Sequence, residues 1–163
     1  MGTAITYGQG LYDSEQIKKH AKEYLAVLPP TVEMLVSRGS SGCAIASAML
    51  TLADRKLEHH QFRKQGEPAH SEDCAGKRAS WRYQMANPLK GIHAAIVDDI
   101  VSTGETLESL LLKCSIHHIS VEVIIVSKVW WAEYEEWPRL EEIREEGKMF
   151  ILNEMKEDEK DVQ

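Results

Sequence analysis

An α/β fold built on a parallel sheet is what this 163-residue chain predicts. Two apolar, β-branched runs, 92–97 and 121–126, flank a helix-forming stretch at 103–116, which is strand–helix–strand spacing. An earlier apolar run at 32–36 precedes another helix-forming stretch and repeats the order. Strands covered on both faces read as continuous apolar runs rather than alternating ones, and these do.

The first element is a helix over 13–28. Asp13 with Gln16 three residues later makes a capping box, and Ile17, Ala21, Tyr24, Leu25 and Leu28 fall on one face. Pro29-Pro30 ends it, since proline lacks an N–H and restricts its predecessor. The run 32–36 is a buried strand, 37–42 a loop rich in Ser and Gly, and 43–53 an apolar helix. Residues 57–63 form a strand with His59, Gln61 and Arg63 on one face. Residues 65–80 read as a long loop, and long loops in compact domains are usually functional. The segment 55–82 holds seven basic and four acidic residues, a local +3 in a chain of net −7, so an anionic ligand is expected nearby. The strand at 92–97 leads to Asp98-Asp99, a turn and the helix 103–116. Past Trp130 the composition turns aromatic and acidic, and the last residues are expected to fray.

Composition bounds the function. Hydrophobic residues make up 43% and charged residues 28%, as in a globular domain. With 19 basic against 26 acidic side chains, a general basic surface for duplex nucleic acid is not expected, though RNA binding through a local basic face stays open. No apolar run approaches the ~20 residues of a membrane span. The first residues lack the basic-then-apolar order of a signal peptide, so cytoplasmic residence is the expectation. Cys43, Cys74 and Cys114 are far apart and odd in number, which favours small apolar roles over a disulfide framework or zinc site. The pairs His59-His60 and His117-His118 lack metal-ligand spacing, and ordinary surface or edge roles are expected for them.

The most informative stretch is 95–106, Ala-Ile-Val-Asp-Asp-Ile-Val-Ser-Thr-Gly-Glu-Thr. An apolar strand delivers two carboxylates to its C-terminal end, where ligands of parallel sheets bind. A small-residue turn then opens a helix, whose free N–H groups suit a phosphate. Gly104 lets the backbone approach an anion closely, and Thr103 and Thr106 add hydroxyl donors. Carboxylates repel phosphate but accept from vicinal hydroxyls. Together the two features predict a phosphorylated sugar. An acidic helix cap alone would explain neither the adjacent acids nor the full turn.

This stretch resembles the signature by which the type I phosphoribosyltransferase family binds 5-phosphoribosyl 1-pyrophosphate (PRPP). The resemblance implies a Rossmann-like parallel-sheet core at about 13–128. A small hood would come from about 1–12 and 129–155, with an acidic tail to 163. Asp98 and Asp99 would hold the ribose hydroxyls, and Ser102, Thr103, Gly104, Glu105 and Thr106 would wrap the 5-phosphate, Glu105 through its backbone. Ser37-Arg38-Gly39-Ser40-Ser41-Gly42 looks like the family's diphosphate loop, with a cis Ser37–Arg38 bond expected. Phe62-Arg63-Lys64-Gln65-Gly66-Glu67 looks like the stretch where a lysine, Lys64, meets PRPP. The basic loop after it would then be a lid, with Lys77 and Arg78 over the diphosphate. Three matches occur in family order, spanning residues 32–127.

The implied activity is Mg²⁺-dependent transfer of phosphoribose from PRPP to a nucleobase, with pyrophosphate leaving. Catalysis would rest on Asp98, Asp99, Lys64 and Arg38, the two aspartates touching the metal through ribose or water. Lys128 resembles the lysine with which 6-oxopurine enzymes read the 6-oxo group, and Trp130 or Trp131 could stack on a base. Ser102 stands where those enzymes place an aspartate, which leaves adenine and orotate open as acceptors. The rival is a PRPP-sensing regulator of the same fold. A dimer is the expected assembly.

Overall fold

The computed structural model describes residues 13–62, 91–129 and 138–152. Their elements in order are α1 (Ser14–Val27), β1 (Met34–Ser37), α2 (Gly39–Leu52), β2 (Glu58–Gln61), β3 (His93–Val101), α3 (Glu105–Ile116), β4 (Ser120–Val129), α4 (Pro138–Glu145) and β5 (Met149–Ile151). The strands form one sheet in the order β2-β1-β3-β4-β5, and every neighbouring pair is parallel. All five C-terminal strand ends therefore share one edge. The 37–42 segment leaves the sheet there, and the chain after Val101 does the same.

Local chemistry sets the element ends. The Asp13 carboxylate accepts the backbone N–H of Glu15 at 2.8 Å and of Gln16 at 3.4 Å, which caps α1. Leu28 is already extended (ψ 118°), as a residue before proline must be, and the helix stops. Period-two alternation then divides the sheet between two cores. Leu35, Ala95, Val97, Val123 and Ile125 pack with Ala21 and Tyr24 of α1 and with Ile45, Ala46 and Met49 of α2. Met34, Val36, Ile96, Ile124 and Val126 pack on the opposite side with Leu107, Leu110, Leu111 and Cys114 of α3 and with Leu140 of α4. Each fully buried side chain of this size contributes roughly 1.5–3 kcal/mol.

The structure corrects three boundaries and one peptide geometry. Residues 39–42, read as loop, are the first turn of α2, with Arg38 as its N-cap. Strand β3 runs on to Val101, past the expected end at 97, so Asp98 and Asp99 lie within it. The Ser37–Arg38 peptide is trans, since no cis bond occurs among the described residues. Residues 138–152, placed in the hood by sequence, add a helix and a fifth sheet strand. Acidic composition hid that pair. Glu108 of α3 holds α4 by accepting from Arg139 at 2.8 Å and from the Leu140 N–H at 3.1 Å. Among the described residues no helix is long and apolar enough to cross a membrane.

One contact fixes how α2 seats on the sheet. A Cβ added to Gly42 would lie 2.9 Å from the Val97 carbonyl oxygen, 3.3 Å from Asp98 Oδ1 and 3.3 Å from Ser37 Cβ. The nearest of these is backbone and cannot swing aside. Gly42→Ala is therefore expected to cost about 1–3 kcal/mol through forced separation of α2 from β3. Urea unfolding of the variant against the parent measures it, and an unchanged midpoint would contradict the contact.

Candidate functional site

Two helices begin at the C-terminal edge of the sheet, and a glycine opens each. Gly39 follows β1 with φ +77°, and Gly104 follows β3 as the N-cap of α3 with φ +86°. Both values fall where a side chain is strained, so the sharp exit from strand to helix requires glycine. Each turn leaves first-turn N–H groups without partners from their own helix, a ready anion site. At α3 the first helical bond runs from Glu108 N–H to the Gly104 carbonyl at 3.0 Å, and the Thr103 hydroxyl meets the Glu105 N–H at 3.4 Å.

A cavity of about 40 Å³ opens at this second turn, lined among others by Asp98, Ile100, Ser102, Thr103, Gly104 and Thr106. It joins one carboxyl to the hydroxyl and amide donors expected around a phosphate. A larger hollow, about 290 Å³, lies at the opposite edge among Glu33, Met34, Lys56, Glu58 and Ile92. Among its described lining residues none belongs to a helix N-terminus, and size alone carries no chemistry.

Asp98 is more enclosed than its sequence position suggests. It is only 9% exposed and lies against the first turn of α2 at Gly42, while Asp99 is half-buried. Burial, reinforced by the neighbouring Asp99, pushes the Asp98 carboxyl up to about 8; the Asp99 N–H, donating to Oδ1 at 3.0 Å, offsets part of this. A proton held there lowers the negative charge beside the phosphate cradle by one. A neutral carboxyl can also donate to a sugar oxygen.

The surroundings of this strand end were not legible in sequence. The buried Tyr24 hydroxyl donates to the Asp98 carbonyl at 2.6 Å and pairs with Ser127 Oγ at 2.9 Å. It thereby ties α1 to the ends of β3 and β4. Burial raises the Tyr24 phenol well above its ordinary range, so it stays a donor. In sequence Tyr24 reads only as one more residue on an apolar helix face.

The other expected residues divide plainly. Ser37 is fully buried, while Gly39 and Ser40 are exposed at the α2 turn. Arg38 reaches across to α3, where Nη1 donates to Ser109 Oγ at 2.9 Å, and its buried Nε has no hydrogen-bond partner. The Arg38 side chain thus links the start of α2 to α3. Glu105 is exposed, and Lys128 is exposed near the end of β4, in register with Ile100. Lys64, Lys77, Arg78, Trp130 and Trp131 lie outside the described residues. Among the described residues no group of three or more His, Cys, Asp or Glu is arranged to hold a metal by itself.

No family model matches the chain, and no curated protein matches it in sequence. Its fold has clear counterparts among solved structures. The adenine phosphoribosyltransferase of Thermoanaerobacter pseudethanolicus superposes with a TM-score of 0.63 at 14% identity, over 87% of this chain and 82% of that one. The orotate phosphoribosyltransferase of Mycobacterium tuberculosis, in complex with PRPP, gives 0.59 at 12% identity, over 88% and 75%. A phosphoribosyltransferase from Corynebacterium diphtheriae gives 0.58 at 12%, over 88% and 77%. The chain has the type I phosphoribosyltransferase fold.

The raised Asp98 carboxyl has a consequence for stability. Its folded value lies above the unfolded 3.8, so folding retains a proton that the unfolded chain releases. Its stabilising contribution is complete below about pH 4 and is lost as pH rises toward about 8. The melting temperature of Asp98→Asn relative to the parent should therefore climb between about pH 5 and pH 8. A difference that stays flat across this range would show that Asp98 is not protonated in the fold.

Proposed function

We propose that the protein is a phosphoribosyltransferase that moves the 5-phosphoribosyl group of PRPP to a nucleobase and releases pyrophosphate. One observation carries the reading: the strand bearing Asp98 and Asp99 runs directly into a glycine-opened helix N-terminus, with the cavity between them. Hydroxyl acceptors and phosphate donors are thus adjacent, in the order a ribose 5-phosphate presents its groups. The second glycine turn, at Gly39, supplies a neighbouring place for the diphosphate, with Arg38 adding positive charge.

In the reaction the bond from the anomeric carbon to the pyrophosphate oxygen breaks as the carbon bonds a ring nitrogen of the base, and the proton of that nitrogen passes to water. The sugar carbon gains cationic character, so the departing diphosphate must be stabilised. The amides after Arg38 and the guanidinium itself do this, while Asp98 and Asp99 orient the ribose. Mg²⁺, reached by those aspartates through ribose or water, would supply charge neutralisation on the leaving group. No side chain forms a covalent intermediate.

For the acceptor we infer a 6-oxopurine. Lys128 emerges at the same edge as the aspartates, where its ammonium can donate to a 6-oxo oxygen; adenine offers an amino group instead. The fold likeness to adenine and orotate enzymes keeps those bases in the test.

Incubation with Mg-PRPP and adenine, guanine, hypoxanthine, xanthine or orotate, followed by pyrophosphate release, checks both levels. Turnover with the 6-oxopurines is expected, reduced at least about 100-fold in the Asp98→Asn/Asp99→Asn variant. Turnover with adenine or orotate alone would overturn the acceptor. Tight PRPP binding without turnover on any base would make the protein a PRPP sensor, and near-normal activity of the double variant would remove the sugar-binding role.

A further inference from the structure

Beneath the first turn of α2 lies a hydrogen-bonded chain that the reaction as described does not use. Ser37, the last residue of β1, is fully buried, and its Oγ lies 2.7 Å from His59 Nε2 and 3.2 Å from Cys43 Sγ. Three elements meet there: His59 comes from β2, Ser37 from β1 and Cys43 from α2. The parallel register pairs Leu35 with His59 and Ser37 with Gln61, so His59 and Ser37 share a sheet face. The residue after Ser37 is Arg38, the N-cap of the diphosphate turn. We propose that His59 is a positioning residue of the diphosphate site, fixing the strand end at Ser37 and supplying a proton-linked positive charge when an anion docks on the α2 turn. This inference rests on the diphosphate role given to that turn above.

The direction of the chain depends on protonation. With Nε2 unprotonated, the Ser37 hydroxyl donates to it. With Nε2 protonated, the ring donates to Ser37 Oγ and the hydroxyl proton turns to Cys43 Sγ. Both arrangements satisfy the buried oxygen, so the ring can gain a proton from solvent without orphaning a partner. In the free protein burial holds the imidazole below its ordinary value. A diphosphate beside Arg38 adds negative charge close by and pulls it upward. Proton uptake then accompanies binding, and affinity falls as pH rises through the imidazole's bound-state value.

Among the described residues the groups facing His59 are few. Ser37 meets the ring from β1, and Arg38 follows with its guanidinium on Ser109. Cys43 approaches from α2 through Ser37. On β2 itself stand Glu58, which pairs with Lys56 at 3.4 Å, His60, which senses His59 electrostatically, and Gln61. His59→Gln keeps a hydrogen-bonding group near the Nε2 position but cannot take the charge.

The test titrates parent and His59→Gln with Mg-pyrophosphate, chosen because it needs neither base nor turnover. At about pH 6 the variant should bind about tenfold more weakly, and at about pH 8.5 the two should agree within about twofold. The ligand's own protonation is common to both proteins and cancels in the ratio. The His59 imidazole resonance, assigned by its absence in the variant, should also titrate at higher pH once Mg-pyrophosphate is added to the parent. A pH-independent ratio together with an unmoved resonance overturns the role of His59 alone. Failure of the parent to bind Mg-pyrophosphate at any pH overturns the diphosphate reading itself.

Discussion

The seat of α2 against the end of β3, where Gly42 leaves no room for a Cβ, is the constraint on which the site depends. It brings the first turn of α2 onto the Val97 carbonyl and the Asp98 carboxyl, and so encloses a group that would otherwise be solvated. Enclosure beside a second carboxyl is what keeps a proton on Asp98. The same approach sets Arg38, the N-cap of α2, opposite α3. Arg38 spans the gap to Ser109. A side chain at Gly42 would separate all of these together.

The proposed ligand sets two electrostatic demands on one strand end. A phosphorylated sugar needs acceptors for its hydroxyls and donors for its phosphates, and ionised acceptors would repel the phosphates. The fold separates these by polarity along the chain: carboxyls inside β3, amides and hydroxyls in the turn that follows. Tyr24 holds the end of β3 from the far side through the Asp98 carbonyl, and Ser127 links the same hydroxyl to β4. The strand end is therefore anchored by helices packed on the sheet, which in the proposed function holds the donors in place before ligand arrives.

Much of this was legible in the sequence because it depends on local pattern. Apolar runs at 92–97 and 121–126 could pack only as buried strands, Pro29-Pro30 had to end α1, and the residues Ser102 to Thr106 combine small size with hydroxyl donors. What sequence did not show depends on contacts between distant residues. The tyrosine hydroxyl on Asp98, the histidine on Ser37 and the Glu108 carboxylate that caps α4 join residues 74, 22 and 31–32 positions apart. Ser-Gly composition made 39–42 read as loop, yet a glycine with positive φ followed by small residues also makes a helix start. In α4 and β5 the acidic side chains masked an apolar side that buries Leu140 fully and packs Ile143, Met149 and Ile151 partly against the same core.

The central claim is that the C-terminal edge of the sheet, between the Gly39 and Gly104 turns, receives PRPP. Backbone amide resonances of the ¹⁵N-labelled protein, followed as Mg-PRPP is added, test it residue by residue. The account predicts that the largest saturable shifts fall on the amides of Gly39, Ser40, Ser41, Thr103, Gly104, Glu105 and Thr106, with Asp99 moving alongside. Shifts confined to the opposite edge, at Glu33, Lys56 and Ile92, or no saturable shift at either turn, would contradict it.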